Sequence, residues 1–409
     1  MRRRRGDMMS DIRHLTRNDF QEHYALTCYA FQVSPSAEQL EQARANFKPE
    51  TWLASFQGVS LLSQMQIFDL EMYIQGNPLS VGGIGGVSTW PEARRQGLVA
   101  ELLISGLERM KERGQTLSAL APFSFGFYRK YGWELYVEHK KYSIPVDKLP
   151  RREIVPGRVR RVRAMEHLEE IDALYAAYAK RYNGMLKRTI DWWEKRLLTS
   201  SSQQVAMYYR DGGEPGGYIR YHIHNREMEV MEFIYMDLQA FRALWSYVSQ
   251  HDSMLERVRL NAPMDHPLPY LLNDPRIGQE TVPYFMVRIV DAARFVEQYA
   301  FAPNDASSEK TELLLEIRDE HAPWNQGTWL MSIREDGCAG MVKLTAGAEV
   351  TPGHEAKLCC GINDLTAMLL GYMDPVTLHA YGRIDSFGAA ADKLSSRIPK
   401  RGTYLLDFF

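Results

Sequence analysis

Apolar positions fall at helical spacing over residues 20–31, then change to extended apolar or alternating runs over 51–56, 60–74 and 79–87. This change of period predicts a helix followed by an antiparallel meander. After Pro91 comes a basic, glycine-containing turn. From Leu98 the apolar residues Leu98, Leu102, Leu103, Leu107 and Met110 return to helical spacing, and Gly114 stops the helix. A short buried strand over 118–121 and an aromatic helical turn over 127–131 complete the segment, which closes where prolines and charges cluster at 145–156.

A second round repeats that order. Helices are expected over 164–182 and 189–197, strands over 204–210, 216–224 and 229–236, and a helix over 238–249. The residues Trp192, Trp193, Leu174, Tyr175 and Tyr178 read as its core. The turn before its last helix, Met236-Asp237-Leu238-Gln239, has neither glycine nor arginine, so a copy without a working cofactor site is expected. A third part has strands over 313–318, 327–333, 340–344 and 356–360 and a helix over 362–370, a separate α+β domain with loops at 302–308 and 351–354. The expected domains are 1–150, 151–288 and 289–409.

A chain of 409 residues exceeds what one core usually supports, and 45% hydrophobic with 24% charged residues is an ordinary globular composition. A formal net charge of -2 argues against a general nucleic-acid binder. The local exception, Arg2, Arg3, Arg4 and Arg5, reads as a solvated tail. The absence of a long apolar run and of an apolar segment after the basic start points to a cytoplasmic protein with no membrane span. Four cysteines without ligand spacing (Cys28, Cys338, Cys359 and Cys360) are expected to be reduced thiols, with no metal.

The run that carries chemistry is Val87-Ser88-Thr89-Trp90-Pro91-Glu92-Ala93-Arg94-Arg95-Gln96-Gly97-Leu98-Val99, joining a strand to an amphipathic helix. Free N–H groups at a helix start, together with the helix dipole, suit a pyrophosphate. Gly97 permits close approach of the anion, and Arg94 and Arg95 add positive charge. A surface loop with two solvated arginines is the alternative reading.

With Arg94 and Gly97 in the first two conserved positions, the run resembles the pyrophosphate loop of the GCN5-related N-acetyltransferase (GNAT) superfamily, Arg/Gln-x-x-Gly-x-Gly/Ala. Val99 departs from the third. The resemblance implies acetyl-CoA as co-substrate, with Val87, Ser88 and Thr89 beside the pantetheine and Gln96, Gly97, Leu98 and Val99 at the pyrophosphate. The three-part order, the Pro91 to Gly97 loop, the turn Phe127-Tyr128-Arg129-Lys130-Tyr131-Gly132-Trp133 and an aromatic carboxyl end are similar to the Eis (enhanced intracellular survival) acetyltransferases. That resemblance implies tandem GNAT folds of α/β type, the second degenerate, followed by a sterol-carrier-like α+β domain whose end reaches the active site.

It further implies Tyr128 as general acid and the α-carboxylate of Phe409 as base. A phenol with a pKa of about 10 can protonate a thiolate whose pKa is roughly 8.5. On residues alone, Tyr128 reads first as a core aromatic in a cluster with Phe123, Phe125, Phe127 and Tyr131, and the ending Tyr404-Leu405-Leu406-Asp407-Phe408-Phe409 reads equally as a terminal strand. For the cationic acceptor, Asp407 is the first acidic candidate and Glu22 a weaker one, with Phe31, Trp90 and Phe123 as aromatic walls. The family implies an aminoglycoside, polyamine or lysine amine as acceptor, and a hexamer. A lipid- or hydrophobe-binding carrier with acetyltransferase folds kept as scaffold is the alternative from another class, and a nucleic-acid regulator using the arginine arm is a third.

Overall fold

The computed structural model describes residues 11–200, 202–304, 310–345 and 356–409. The arginine run at the start, the loop at 351–354 and most of that at 302–308 lie outside the described residues. The first part holds β1 (Asp11–His14), α1 (Phe20–Phe31), α2 (Ala37–Asn46), β2 (Trp52–Gln57), β3 (Ser60–Ile74), β4 (Asn77–Thr89), α3 (Leu98–Glu112), β5 (Leu117–Leu120), α4 (Phe125–Arg129) and β6 (Glu134–Pro145). The second holds β7 (Arg158–Val162), α5 (Leu168–Ala179), β8 (Gln204–Tyr209), β9 (Pro215–His224), β10 (Glu227–Tyr235), a helix Leu238–Ser249, β11 (Arg257–Ala262) and β12 (Gly278–Ile289). In place of the expected helix over 189–197 there is one α-turn, Ile190–Trp192, that widens into π-helical Trp193–Leu197.

All of these strands form one sheet, in the order β1-β2-β3-β4-β5-β12-β6-β11-β10-β9-β8-β7. The centre of that order is an exchange. Strand β12 from the second half lies between β5 and β6, and β6 from the first half lies between β12 and β11. Phe285, Met286, Val287 and Ile289 of β12 are fully buried there, so the sheet runs unbroken across residue 150. Neither strand was expected from the periodicity: β6 is interrupted by charged residues, and β12 ends in consecutive buried residues rather than alternating. Pro283 sits where the β12–β6 register shifts, a position that needs no ladder donor.

Helix α3 covers the first half of the sheet with Leu98, Leu102, Leu103, Leu107 and Met110, the five residues its spacing had marked. Gly106 keeps it close: a Cβ there would meet Met65 Cε at 2.4 Å.

The third part is α+β as expected: β13 (Thr311–Arg318), β14 (Gly327–Ile333), β15 (Ala339–Lys343), β16 (Lys357–Gly361) and β17 (Asp385–Phe387), in the order β15-β14-β13-β16-β17. It is not packed as a separate body. Leu313, Leu315 and Leu358 share one hydrophobic core with Met72, Val81, Leu117 and Val287 of the large sheet. Across this seam the Ile289 N–H donates to Thr366 Oγ1 at 3.0 Å, and Arg288 forms a buried ion pair with Asp319 at 2.5 Å.

The last eleven residues leave this domain and run back along the seam between the halves rather than adding a strand to the small sheet. Asn183 N–H donates to Gly402 O at 2.9 Å and Tyr404 N–H to Asn183 O at 3.1 Å. His139 Nε2 lies 2.7 Å from Leu405 O, and the Tyr284 hydroxyl donates to Asp407 O at 3.0 Å. Beneath them is a buried charge cluster. Arg188 lies 2.9 Å from Asp407 and 3.0 Å from Glu232, Arg220 lies 2.9 Å from Glu232, and Arg188, Asp407 and Glu232 are solvent-inaccessible. Burial works against the ionised Glu232, yet the two arginines hold its carboxyl down at about 2.

Removing one member of such a cluster strands a buried charge, so Asp407→Ala should lower stability by about 3–5 kcal/mol, read as a shift in the urea midpoint. Acid should also destabilise the fold. Burial, helped by Lys140, holds His266 down to about 4, and burial lowers His23 and His139 as well. The unfolded chain, with histidine pKa near 6.5, therefore binds more protons, and stability falls as pH drops from about 6.5 toward 4. A melting midpoint followed from pH 7.5 to 5 should fall, and fall less in His266→Gln.

Candidate active site

The site begins with a defect in β4. Gln66 is opposite Gly85 and Gln64 opposite Ser88, so β4 holds one more residue than β3 in this stretch. Gly86 absorbs the bulge at φ +60, where a Cβ would also meet the Trp52 ring at 2.5 Å. Strand β5 pairs with β4 only from Val81 to Ile84. Residues Gly85 to Thr89 thus present their backbone edge on that side without a strand partner. An extended amide chain can add itself to such an edge.

The opened strand leads to an uncapped helix. Gly97, at φ +92, is the N-cap of α3 and has no side chain to satisfy the first turn, whose first internal bond runs from Glu101 N–H to Gly97 O. The N–H groups of Leu98, Val99 and Ala100 are left for an outside acceptor. No atom comes within 4 Å of a Cβ built on Gly97, so the approach is clear. Arg94 Nε donates to Thr89 O at 3.4 Å, and neither Arg94 nor Arg95 has an acidic partner among the described residues. Gln96 instead folds back onto Glu92 O at 3.1 Å and does not line the cleft.

Strand edge and helix start border one cleft of about 550 Å³. Val87, Ser88, Thr89, Arg94, Arg95, Gly97, Leu98 and Val99 form one side; Phe31, Phe123, Phe127 and Tyr131 face it. Val99, the departure from the family pattern, lines the cleft without closing it. Trp90 does not: its ring packs on Tyr29 at 5.2 Å. A pantetheine-pyrophosphate chain fits this donor set.

The second half shows what closes such a site. At the corresponding helix start, the Asp237 carboxylate accepts from Ala240 N–H at 2.8 Å and pairs with Arg210. The protein's own anion occupies the place an outside phosphate would take. The sequence showed only the missing glycine and arginine.

Tyr128 stands on α4, whose first turn is capped by the Ser124 hydroxyl. Its ring is 2% exposed, against Phe123 at 5.1 Å and Phe127 at 5.2 Å, one layer behind the cleft wall. Its hydroxyl has no hydrogen-bond partner among the described residues, and burial raises its pKa well above 10.

Phe409 packs against Phe285 at 4.8 Å, Phe68 at 6.3 Å and Trp192 at 6.4 Å. A Cβ on Gly85 would lie 3.3 Å from the Phe409 carboxyl carbon. The chain end therefore rests on β4 at the residue where that strand parts from β5. Asp407, two residues earlier, is not the acceptor-facing acid expected of it. Its carboxylate is buried, bound by Arg188, by Trp192 Nε1 at 2.8 Å and by the Tyr175 hydroxyl at 3.1 Å. Glu22 likewise accepts from Leu61 N–H at 3.3 Å. Sequence reasoning missed Phe68, Gly85 and Arg188, which no local pattern marks, and took Trp192 for core although it bridges Asp407 and Phe409.

Comparison with known proteins agrees with this geometry. Models of the acetyltransferase (GNAT) domain match residues 11–136 and 184–289, and a sterol carrier protein domain matches 292–406. An uncharacterized N-acetyltransferase of Streptomyces griseus is 24% identical over 97% of this chain and 98% of its own. The N-acetyltransferase Eis of Mycobacterium tuberculosis is 26% identical over 55% of this chain and 58% of its own. A probable N-acyltransferase structure from Enterococcus faecalis is 29% identical with TM-score 0.89, covering 98% of this chain and all of that one. Eis1 of Mycobacterium abscessus shares the fold, with TM-score 0.79 at 18% identity over 98% of this chain and all of its own. With an open cofactor cleft in the first GNAT unit, a self-capped second unit and a sterol-carrier-type third, the chain is a GNAT N-acetyltransferase similar in its three-part build to Eis.

Proposed function

We propose that this enzyme transfers acetyl from acetyl-CoA to a primary amine by direct attack. The observation that carries the reading is the continuous path from the free edge of Gly85 to Thr89 to the uncapped start of α3. The strand edge would hold the pantetheine amides, and the N–H groups of Leu98 to Ala100, with Arg94 and Arg95, the pyrophosphate.

The amine nitrogen attacks the thioester carbonyl carbon; as the N–C bond forms and the C–S bond breaks, the nitrogen loses a proton and the sulfur needs one. Tyr128, kept protonated by burial but made a weaker acid by it, would donate to the thiolate from one layer behind the cleft wall. With Phe409 as last residue, its α-carboxylate beside Gly85 would take the amine proton. The acceptor class is an aminoglycoside, polyamine or lysine amine, and the assembly a hexamer, as in the family resemblance. The carrier alternative has less support, because Leu313, Leu315, Leu365 and Met368 fill the interior of the third domain.

Acetyl-CoA-dependent thiol release with a panel of aminoglycosides, polyamines and lysine peptides tests the reading. Tyr128→Phe should lower kcat about 100-fold or more while acetyl-CoA still binds, the scale of one lost general acid. Extension past Phe409 should abolish turnover with binding retained. Full activity in the extended chain would remove the terminal base. No turnover with any amine would overturn the acceptor class.

A further inference from the structure

Beyond the Tyr131 wall of the cofactor cleft lies a second cavity, of about 630 Å³, between the first and third domains. Tyr131 lines the first cavity, and its ring packs on His321 of the second at 4.8 Å between centroids. Lys130, next in sequence, and Arg318, at the end of β13, both project into the second. Both are exposed, and neither has an acidic partner among the described residues.

The cavity's acids do not cancel this charge. Asp319 is engaged inward by Arg288, by Asn325 Nδ2 at 2.9 Å and by Ala322 N–H at 3.2 Å. Glu320 is the remaining carboxylate of the lining, against two cations; Glu316 and Asp364, which also act on Arg318 from beyond the lining, are each paired with another cation, Lys357 at 2.6 Å and Arg383 at 2.9 Å. The walls are fixed to each other, because Asn363 Nδ2 donates to Arg129 O at 3.1 Å and to Trp133 O at 3.0 Å. Two unpaired cations on a fixed frame, one aromatic ring beyond a pyrophosphate-binding helix start, suit a phosphate monoester carried further along the same ligand.

We propose that Lys130 and Arg318 form a subsite for the 3′-phosphate of the CoA nucleotide, so that the sterol-carrier-type domain contributes to co-substrate selection. This rests on the acetyl-CoA reading above. It requires the nucleotide end to pass Tyr131 and explains why two free cations from different domains share one cavity.

Calorimetric titration of the full chain with CoA and with dephospho-CoA tests it. Wild type should bind CoA about tenfold or more tightly than dephospho-CoA, the scale of one charge-assisted contact. The K130A/R318A variant should lose that preference with its dephospho-CoA affinity unchanged, whereas K130R/R318K should keep it. Adenosine 3′,5′-bisphosphate should compete with CoA far better than inorganic phosphate does; equal competition would mean a free-phosphate site and overturn the proposal. Equal binding of CoA and dephospho-CoA by wild type, or a preference that survives in K130A/R318A, would also overturn it and leave the acetyltransferase reading intact. Wild type that binds neither would overturn that reading itself.

Discussion

The ion pair between Arg188 and Asp407 is the contact on which the geometry of this protein turns. It joins a residue of the second unit to the end of the third, and both side chains are buried from solvent, where an unpaired member would be very costly. Asp407 is held by arginine, tryptophan and tyrosine donors at once, so the two residues after it have little freedom. Phe409 is thereby set on β4, a strand of the first unit. Three units thus meet at residues 407–409, around one buried carboxylate held by three donors.

The two GNAT units differ most where they are topologically alike. Each has a meander leading into an amphipathic helix, and each helix start has the same surplus of N–H donors. Gly97 leaves those donors free in the first, while Asp237 consumes them in the second. A single side chain separates a binding site from a structural cap. The second unit keeps a different role: it supplies β12, which borders β5, and Arg188, which holds the tail.

Local pattern and long-range contact divide what the sequence could tell. The helix 20–31, strand 60–74 and helix 238–249 were legible to the residue: the helices bury residues at helical spacing, and the strand is a long, largely apolar run ending at the Gln75-Gly76 turn. The cofactor loop was legible because its chemistry is contiguous. Strands β6 and β12 were not, since a strand exchanged between halves is defined by its neighbours and not by its own alternation. Asp407 was misread for the same reason: an acid near the chain end looks available until a partner 219 positions away is brought beside it. Tyr128 and Phe409 came from family likeness; residues alone favoured a core aromatic for Tyr128 and left Phe409 open.

The exchange of β6 and β12 also bears on synthesis. As the chain leaves the ribosome, β5 waits for its second neighbour until residues near 289 have been made; β6 has no partner until β11 is complete at residue 262, and lacks β12 until residues near 289 as well. The first unit therefore cannot close before the second exists, unlike the usual order in which an amino-terminal domain folds while the rest is still being translated. For a long interval the nascent chain carries two unpaired strand edges, the kind of surface that recruits chaperones or pairs with the wrong chain. Catalytic competence is thus deferred to the whole polypeptide.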